Sequence, residues 1–383
     1  MSENILICAV GAQGSIGTTI AAGVSLLPSN PEMILNTLIT QQKSSKLQGY
    51  IGAIEYCGWD LKDNSFDDSF EKNRPFSRET YLAARNHLNN KTIFPSPNPD
   101  LTILEQVNSL RKDITSLREK FKNFKLVGVN VLPAANFSYE DYKDYSLEQI
   151  YKLSGKKFQD LAYAIAFLLE GFPFVNFTPN PIELPAIIKL AEENGCVLCG
   201  RDGKTGQTYW KVVIASAFAV RSLTVEGWYS TNILGNNDGQ TLNEPNFAIN
   251  KINQKSQVLN DALGYEVADH IVRIDYYRPR KDNKEAYDVI DYKGFLDENM
   301  SMRVSLLCKD SILAAPMIID LSILSLYLQY HNQRFGFIPE LSLFFKHPLG
   351  GKNLKTFQEQ VSALQSILKI DKENQEDEIK NYA

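Results

Sequence analysis

Apolar and polar positions along this chain follow two regimes. Up to about residue 203, short apolar runs alternate with segments of helical period. Residues 5–10 form a continuous apolar run, the pattern of a strand buried on both faces of a parallel sheet. They enter a glycine-rich turn, Gly11 to Gly17, and then a helical stretch over 20–27. Residues 50–56 read as strand, 94–100 as a Pro- and Asn-rich loop, 103–124 as helix and 125–132 as strand. Residues 158–169 and 184–194 read as helices. Strand 172–176 lies between them and ends in the loop through Thr178 and Pro179. This alternation predicts a doubly wound α/β sheet.

After Gly206 the pattern changes. Longer β-like runs fall at 225–230, 270–276, 287–292 and 302–307. A helix is expected around 250–263, with an apolar stripe of Ala248, Ile252, Leu259 and Leu263. The expected architecture is a Rossmann-like, doubly wound α/β domain carrying an inserted α+β domain. The most apolar window, 311–328, returns to helix. It contains Pro316 and Asp320 and follows Lys309 and Asp310, so it reads as a buried core helix rather than a membrane span. The expected division is discontinuous, with 1–203 plus 310–383 as one domain and 204–309 as the other. Residues 371–380 are highly charged and read as a frayed or disordered end.

Composition changes this picture little. The chain has 383 residues, 44% hydrophobic and 22% charged, which is ordinary for a globular protein. A net charge of −5 with no basic block disfavours a nucleic-acid surface. The amino terminus lacks a basic stretch followed by a long apolar core, so no secretory signal is expected. Five cysteines without such a signal suggest a reducing cytoplasm. Cys196 and Cys199 form a C-x-x-C, but they fall in a short buried run where i and i+3 point to opposite faces. Two structural thiols are expected rather than a redox pair or half a zinc site. Four scattered histidines form no triad or metal cluster.

Candidate chemistry gathers in two places. Gly11, Gly14 and Gly17, with Gln13, Ser15 and Ile16 between them, follow a strand and precede a helix. That is the opening of a dinucleotide-binding βαβ unit, although Gln13 stands where the usual fingerprint has glycine. Asp60, after the second strand, is the candidate for the ribose diol; the alternative is a strand-end Asp capping a turn. The second place begins at Gly200. Loop amides around Thr205, Gly206 and Gln207 can cradle phosphate oxygens. Asn236, Asn237 and Asp238 offer donors and acceptors in one turn. Lys251 and Lys255, at i and i+4, are neighbours on one helix face and suit an anion between them. Such lysines are more often simply solvated.

The order of these pieces resembles the myo-inositol-1-phosphate synthase family. That family shows a Gly-Asp-Asp-x-Lys-Ser-Gly-Gln-Thr loop, a Leu-Gly-Asn-Asn-Asp-Gly turn and a Ser-Lys-Glu-Ile-Ser-Lys-Ser helix. The matching positions here are 200–208, 234–239 and 250–256. The likeness continues at Asp269 and His270, at Asp282 to Lys284, at 308–316 and at Lys346 to Leu349. Thr205 replaces a family serine and keeps the hydroxyl. Gln13 departs from the family's glycine turn, and Lys309 stands where the family has an acid.

The resemblance implies an NAD-dependent, redox-neutral cyclase taking D-glucose 6-phosphate to myo-inositol 1-phosphate. C5 is oxidised, C6 enolises, the enolate attacks C1 in an aldol step, and C5 is reduced again. It implies catalytic roles for Lys251, Lys284, Lys346, Asp310 and Asp202. Lys251 and Lys346 are expected at the O5 and O1 oxyanions. The substrate is expected on Lys255, Thr205, Gly206, Gln207, Leu234, Asn236, Asn237, Asp238 and Asp282. NAD is expected on Gly11, Gln13, Gly14, Ser15, Ile16, Gly17, Asp60, Thr178 and Pro179. A monovalent or divalent cation requirement is left open. A homotetramer built through the insert is expected, with neither membrane nor nucleic acid as partner. The remaining alternatives are a net sugar-phosphate oxidoreductase, a diverged cyclase on another sugar phosphate, and a non-catalytic binding module.

Overall fold

The computed structural model describes residues 2–28, 51–135, 138–235, 257–350 and 354–368. Six strands form one parallel sheet: β1 (Glu3–Val10), β2 (Ile51–Asp60), β3 (Thr92–Pro95), β4 (Phe124–Asn130), β5 (Phe174–Asn176) and β6 (Leu198–Gly200). Their order is β3-β2-β1-β4-β5-β6, and all neighbours run parallel. This is the Rossmann order, which places a crevice at the carboxyl ends of β1 and β4 where the winding reverses.

The period-2 alternation of β1 explains the two-faced core. Ile5, Ile7 and Ala9 point to one face, and Leu6, Cys8 and Val10 to the other. The first face is covered by helices Ser15–Leu26, Phe66–Asn73, Arg78–Asn89 and Asp310–Tyr330. The second is covered by Ile103–Lys120, Gly155–Leu169 and Pro185–Glu193. Helix Asp310–Tyr330 is long and apolar enough to cross a membrane, but it is mostly buried, packed on helix Ser15–Leu26 and on β4 and β5. Its Ser325 hydroxyl lies 3.3 Å from the Cys199 thiol. Cys199 and Cys196 belong to opposite faces of the sheet, and both are free thiols.

The second sheet has four strands in the order β10-β9-β7-β8: β7 (Thr224–Leu234), β8 (Asp269–Tyr276), β9 (Asn283–Lys293) and β10 (Asn299–Lys309). β7 pairs parallel with β8 and antiparallel with β9, which pairs antiparallel with β10. Its inner face packs Val225, Trp228 and Ile290 against Val212, Ala215 and Phe218 of helix Gln207–Val220. Leu259, Ala262 and Leu263, in a helical stretch over 257–263, join that core. Helix Phe357–Leu368 touches both units, with Phe357 against the second core and Leu364 in the first.

Candidate functional site

The turn after β1 is built around glycine. Gly11 has φ +87°, a region that costs an L side chain. A Cβ on Gly17 would lie 2.4 Å from the Ala12 carbonyl oxygen, so helix Ser15–Leu26 reaches the turn only with glycine there. That helix starts after Gly14 with no side-chain cap and no acid in its first turn. Its first amides, at Ser15 and Ile16, therefore suit an anion. Gln13 spends its backbone N–H on Asp60 Oδ2, 2.6 Å away. The other Asp60 oxygen accepts from Leu61 N–H at 2.8 Å and from the Asn64 amide. The buried carboxylate at the end of β2 thus fixes the glycine turn across the crevice mouth. A glycine turn, an uncapped helix start and an acid at the end of the second strand are the elements with which folds of this kind hold a dinucleotide.

Further along the same edge lies a buried polar cluster that pattern reading passed over. Asn130 and Asn180 each donate to Asp160 Oδ2 at 2.7 Å. Asn176 donates to Glu183 Oε1 at 2.8 Å and accepts from the Thr178 hydroxyl at 2.9 Å. Burial pushes the Asp160 carboxyl up, and the hydrogen bonds only partly oppose it. Burial likewise pushes Glu183 up to about 6, moderated by Arg201, whose Nη1 lies 3.8 Å from it. The available signal was an asparagine closing each apolar run at β4 and β5. Thr178 ties this edge to the next region, since its carbonyl accepts the Asp202 N–H at 2.9 Å. Pro179 follows, half-buried, in the same loop.

The two sheets meet at a group of lysines and aspartates. Residues 200–204 run beside 344–349, with Lys346 N–H on the Asp202 carbonyl at 2.7 Å and Lys204 N–H on the Phe344 carbonyl at 2.8 Å. This ribbon brings Lys346 Nζ within 2.7 Å of Asp202 Oδ1. Lys284, at the start of β9, sits in register between Leu234 of β7 and Cys308 of β10. Its Nζ is 2.9 Å from Asp310 Oδ2, where β10 runs directly into helix Asp310–Tyr330. Thr205 donates its hydroxyl to Asp310 Oδ1 at 3.1 Å. Burial acts to raise the Asp310 carboxyl. The nearby Lys284, the charge of Lys346 and the Thr205 hydroxyl outweigh it and hold the group below the ordinary range. The two ion pairs therefore act as one electrostatic unit.

Gly206 faces this unit; a Cβ there would stand 3.5 Å from Asp310 Oδ1. It is also the N-cap of helix Gln207–Val220, which has no side-chain cap, so amides point out beside Thr205. The Gln207 side chain is used elsewhere. It donates to Asp288 Oδ2 at 2.9 Å and accepts from Asn232 at 2.6 Å, inside the second core. Its backbone N–H stands at the first position of the helix, next to the loop end. Asp282 accepts from the Ser311 hydroxyl, and its N–H donates to the Asn73 carbonyl at 3.2 Å. Lys309 is turned aside, with its Nζ 2.9 Å from the Arg74 carbonyl. The expected Asn236, Asn237, Asp238, Lys251 and Lys255 lie outside the described residues. Among the described residues no group of three His, Cys, Asp or Glu is placed to hold a metal.

The fold is a Rossmann-like α/β sheet followed by a second, four-stranded sheet, with Lys284 and Lys346 paired to aspartates where the two meet. Residues 206–311 match the family model described as myo-inositol-1-phosphate synthase. The chain is 41% identical over 197 residues to inositol-3-phosphate synthase 1 of Bacteroides thetaiotaomicron, covering 49% of this chain and 46% of the relative. It is 30% identical over 301 residues to inositol-3-phosphate synthase 1 of Oryza sativa subsp. japonica, covering 71% and 59%. The chain thus spans about half the length of the curated relatives it matches. Its fold is that of the inositol-3-phosphate synthase of Caenorhabditis elegans, with a TM-score of 0.80 at 22% identity over 96% of this chain and 86% of that one. A myo-inositol-1-phosphate synthase-related protein from Thermotoga maritima gives a TM-score of 0.70 at 22% identity, over 96% and 97%.

Proposed function

We propose that this chain is an NAD-dependent cyclase converting D-glucose 6-phosphate to myo-inositol 1-phosphate, also numbered inositol 3-phosphate. The observation that carries the reading is the joint unit of Lys284 with Asp310 and Lys346 with Asp202, set beside Thr205 and an uncapped helix end. When bound, NAD+ supplies the oxidant that accepts hydrogen from C5 and returns it there, so the cycle is redox-neutral. The glycine turn with Ser15 and Ile16 would hold its pyrophosphate, and Asp60 its ribose.

Lys346 and Lys251 are assigned to the O5 and O1 oxyanions, with Lys284 beside them. Ammoniums fixed in advance by Asp202 and Asp310 stabilise charge as it develops, with no reorganisation during the reaction. Thr205, the Gly206 and Gln207 amides and Lys255 are assigned to the phosphate. Leu234, Asn236, Asn237, Asp238 and Asp282 complete the substrate site. The proposal also takes 1–203 plus 310–383 as the cofactor unit and 204–309 as the catalytic one.

The outer face of the second sheet exposes Ile271, Tyr287 and Leu307. That open apolar face supports association of copies, for which a homotetramer is the specific proposal, and light scattering reads it directly. Free thiols at all five cysteines suit a reducing compartment such as the cytoplasm. The test of activity is incubation with glucose 6-phosphate and NAD+. An inositol monophosphate should form without accumulation of NADH. NADH rising in step with substrate loss would instead indicate a net dehydrogenase.

A further inference from the structure

Lys204 sits inside the loop that carries Asp202, Thr205 and Gly206, but it points the other way. It is only 2% exposed. Its Nζ donates to Gln360 Oε1 at 2.5 Å and to the Ser342 carbonyl at 3.4 Å. Both partners are uncharged. Gln360 belongs to helix Phe357–Leu368 and is itself anchored by its Nε2 on the Leu354 carbonyl at 3.0 Å. The same helix is tied to helix Gln207–Val220 through Phe357 N–H on the Ser216 hydroxyl at 2.8 Å.

A buried ammonium with neutral partners is a costly way to fill space. A side chain of similar length such as methionine would fill it without desolvating a charge. Burial with no opposing carboxylate pulls the Lys204 ammonium down to about 7, which shows how little compensates it. What the ammonium adds over an apolar chain is direction. Its donors fix the distance from the loop to two separate elements. The loop is short, and Asp202 and Thr205 flank Lys204 closely, so any drift moves the partner of Lys346 and the hydroxyl that holds Asp310.

We propose that Lys204 is a positioning residue. Its buried link to Gln360 and Ser342 couples helix Phe357–Leu368 to the loop that places Asp202 and Thr205, and through them Lys346 and Asp310. This rests on the cyclase reading for its kinetic consequence, though not for its structural one.

The test uses the full chain with Lys204→Met, Gln360→Leu and the double variant. The readouts are amide hydrogen exchange of residues 202–206, kcat and KM with glucose 6-phosphate and NAD+, and the melting temperature. Each single variant is expected to speed exchange in 202–206 about ten-fold while leaving β1 and β4 unchanged. Each should lower kcat about ten-fold with a smaller change in KM, and Lys204→Met should do so with no drop in melting temperature. The double variant should lose no more than either single one, because both changes cut the same link. Unchanged exchange in 202–206 overturns the proposal. So does faster exchange with wild-type kcat, or a kcat loss in Lys204→Met that merely follows a fall in melting temperature. A wild-type protein inactive on glucose 6-phosphate overturns the cyclase reading alone, and the exchange data then decide the coupling by themselves.

Discussion

Lys346 and Asp202, 144 positions apart in sequence, close an ion pair of 2.7 Å on the ribbon that joins β6 to the 344–349 segment. Both side chains are largely withdrawn from water, Asp202 to 7% exposure. Removing one charge of such a pair leaves the other poorly compensated. Asp202→Asn is therefore expected to lower kcat by roughly a hundred-fold, as Lys346 loses its fixed position. KM should change less, because the phosphate contacts assigned to Thr205 and Gly206 stay in place. Steady-state kinetics separate the two effects.

Lys284 and Asp310 make the second pair, and Asp310 also takes the Thr205 hydroxyl. Asp310→Asn keeps the shape and removes the charge. It should depress turnover by about a hundred-fold. It should also weaken glucose 6-phosphate binding slightly, through the freed Thr205. Isothermal titration with the substrate, set beside kcat, checks this split.

At the end of β2, Asp60 fixes Gln13 and is the residue proposed above for the ribose. Asp60→Ala should weaken NAD by about ten- to a hundred-fold, the scale of one lost charge-assisted contact of roughly 1.5–3 kcal/mol. It should also narrow the preference for NAD over NADP, because the repulsion of a 2′-phosphate goes with the carboxylate. Calorimetry with both cofactors measures it. Equal affinity for the two in the unaltered protein would remove the assigned role of Asp60.

Lys204 and Lys211 are buried and each is pulled down from 10.5 to about 7, by desolvation first; for Lys211 the charge of Asp288 partly opposes this. In that window the unfolded chain binds protons that the folded chain does not. Stability contributed by these sites therefore rises as pH climbs from about 7 toward 10.5, and the penalty is fully present below 7. Lys204→Met should be at least as stable as the unaltered protein at pH 7. That advantage should shrink as pH approaches 10, as read by urea denaturation at each pH.

Much of this fold could be read from hydrophobic period. The strand at Ile5 and the helices near Ile103 and Leu161 declared themselves because burial on one stripe or both faces leaves a repeating pattern. Helices Phe66–Asn73 and Arg78–Asn89 did not, since they bury only a few apolar side chains among charged ones. Helix Gln207–Val220 was hidden by β-branched Val212, Val213 and Ile214, whose strand preference is overridden by packing on the second sheet. β9 and β10 run further than their apolar cores because Asn283, Lys284 and Lys309 continue the ladder with polar side chains. Those polar ends hold Lys284 and lead into Asp310, so the least legible ends of the strands carry the proposed site. The pairing of Lys346 with Asp202, and the turning aside of Lys309, depend on contacts far apart in sequence and leave no local mark.

Lys251 and Lys255 lie outside the described residues, and their assignment rests on motif order alone. If Lys255 grips phosphate, Lys255→Ala should mainly raise KM, by about ten- to a hundred-fold. If Lys251 faces an oxyanion, Lys251→Ala should mainly lower kcat, by about a hundred-fold or more. Wild-type behaviour of both variants would mean that the two lysines are solvated.

The central claim is that hydrogen leaves C5 and returns to the same molecule. It is tested most directly with glucose 6-phosphate carrying deuterium at C5, incubated with the protein and unlabelled NAD+, with mass analysis of the product. The expected result is an inositol monophosphate that retains the deuterium, with no net NADH absorbance at any time. Loss of the deuterium from the product, its stoichiometric appearance in free NADH, or no consumption of glucose 6-phosphate would contradict the redox-neutral cyclase.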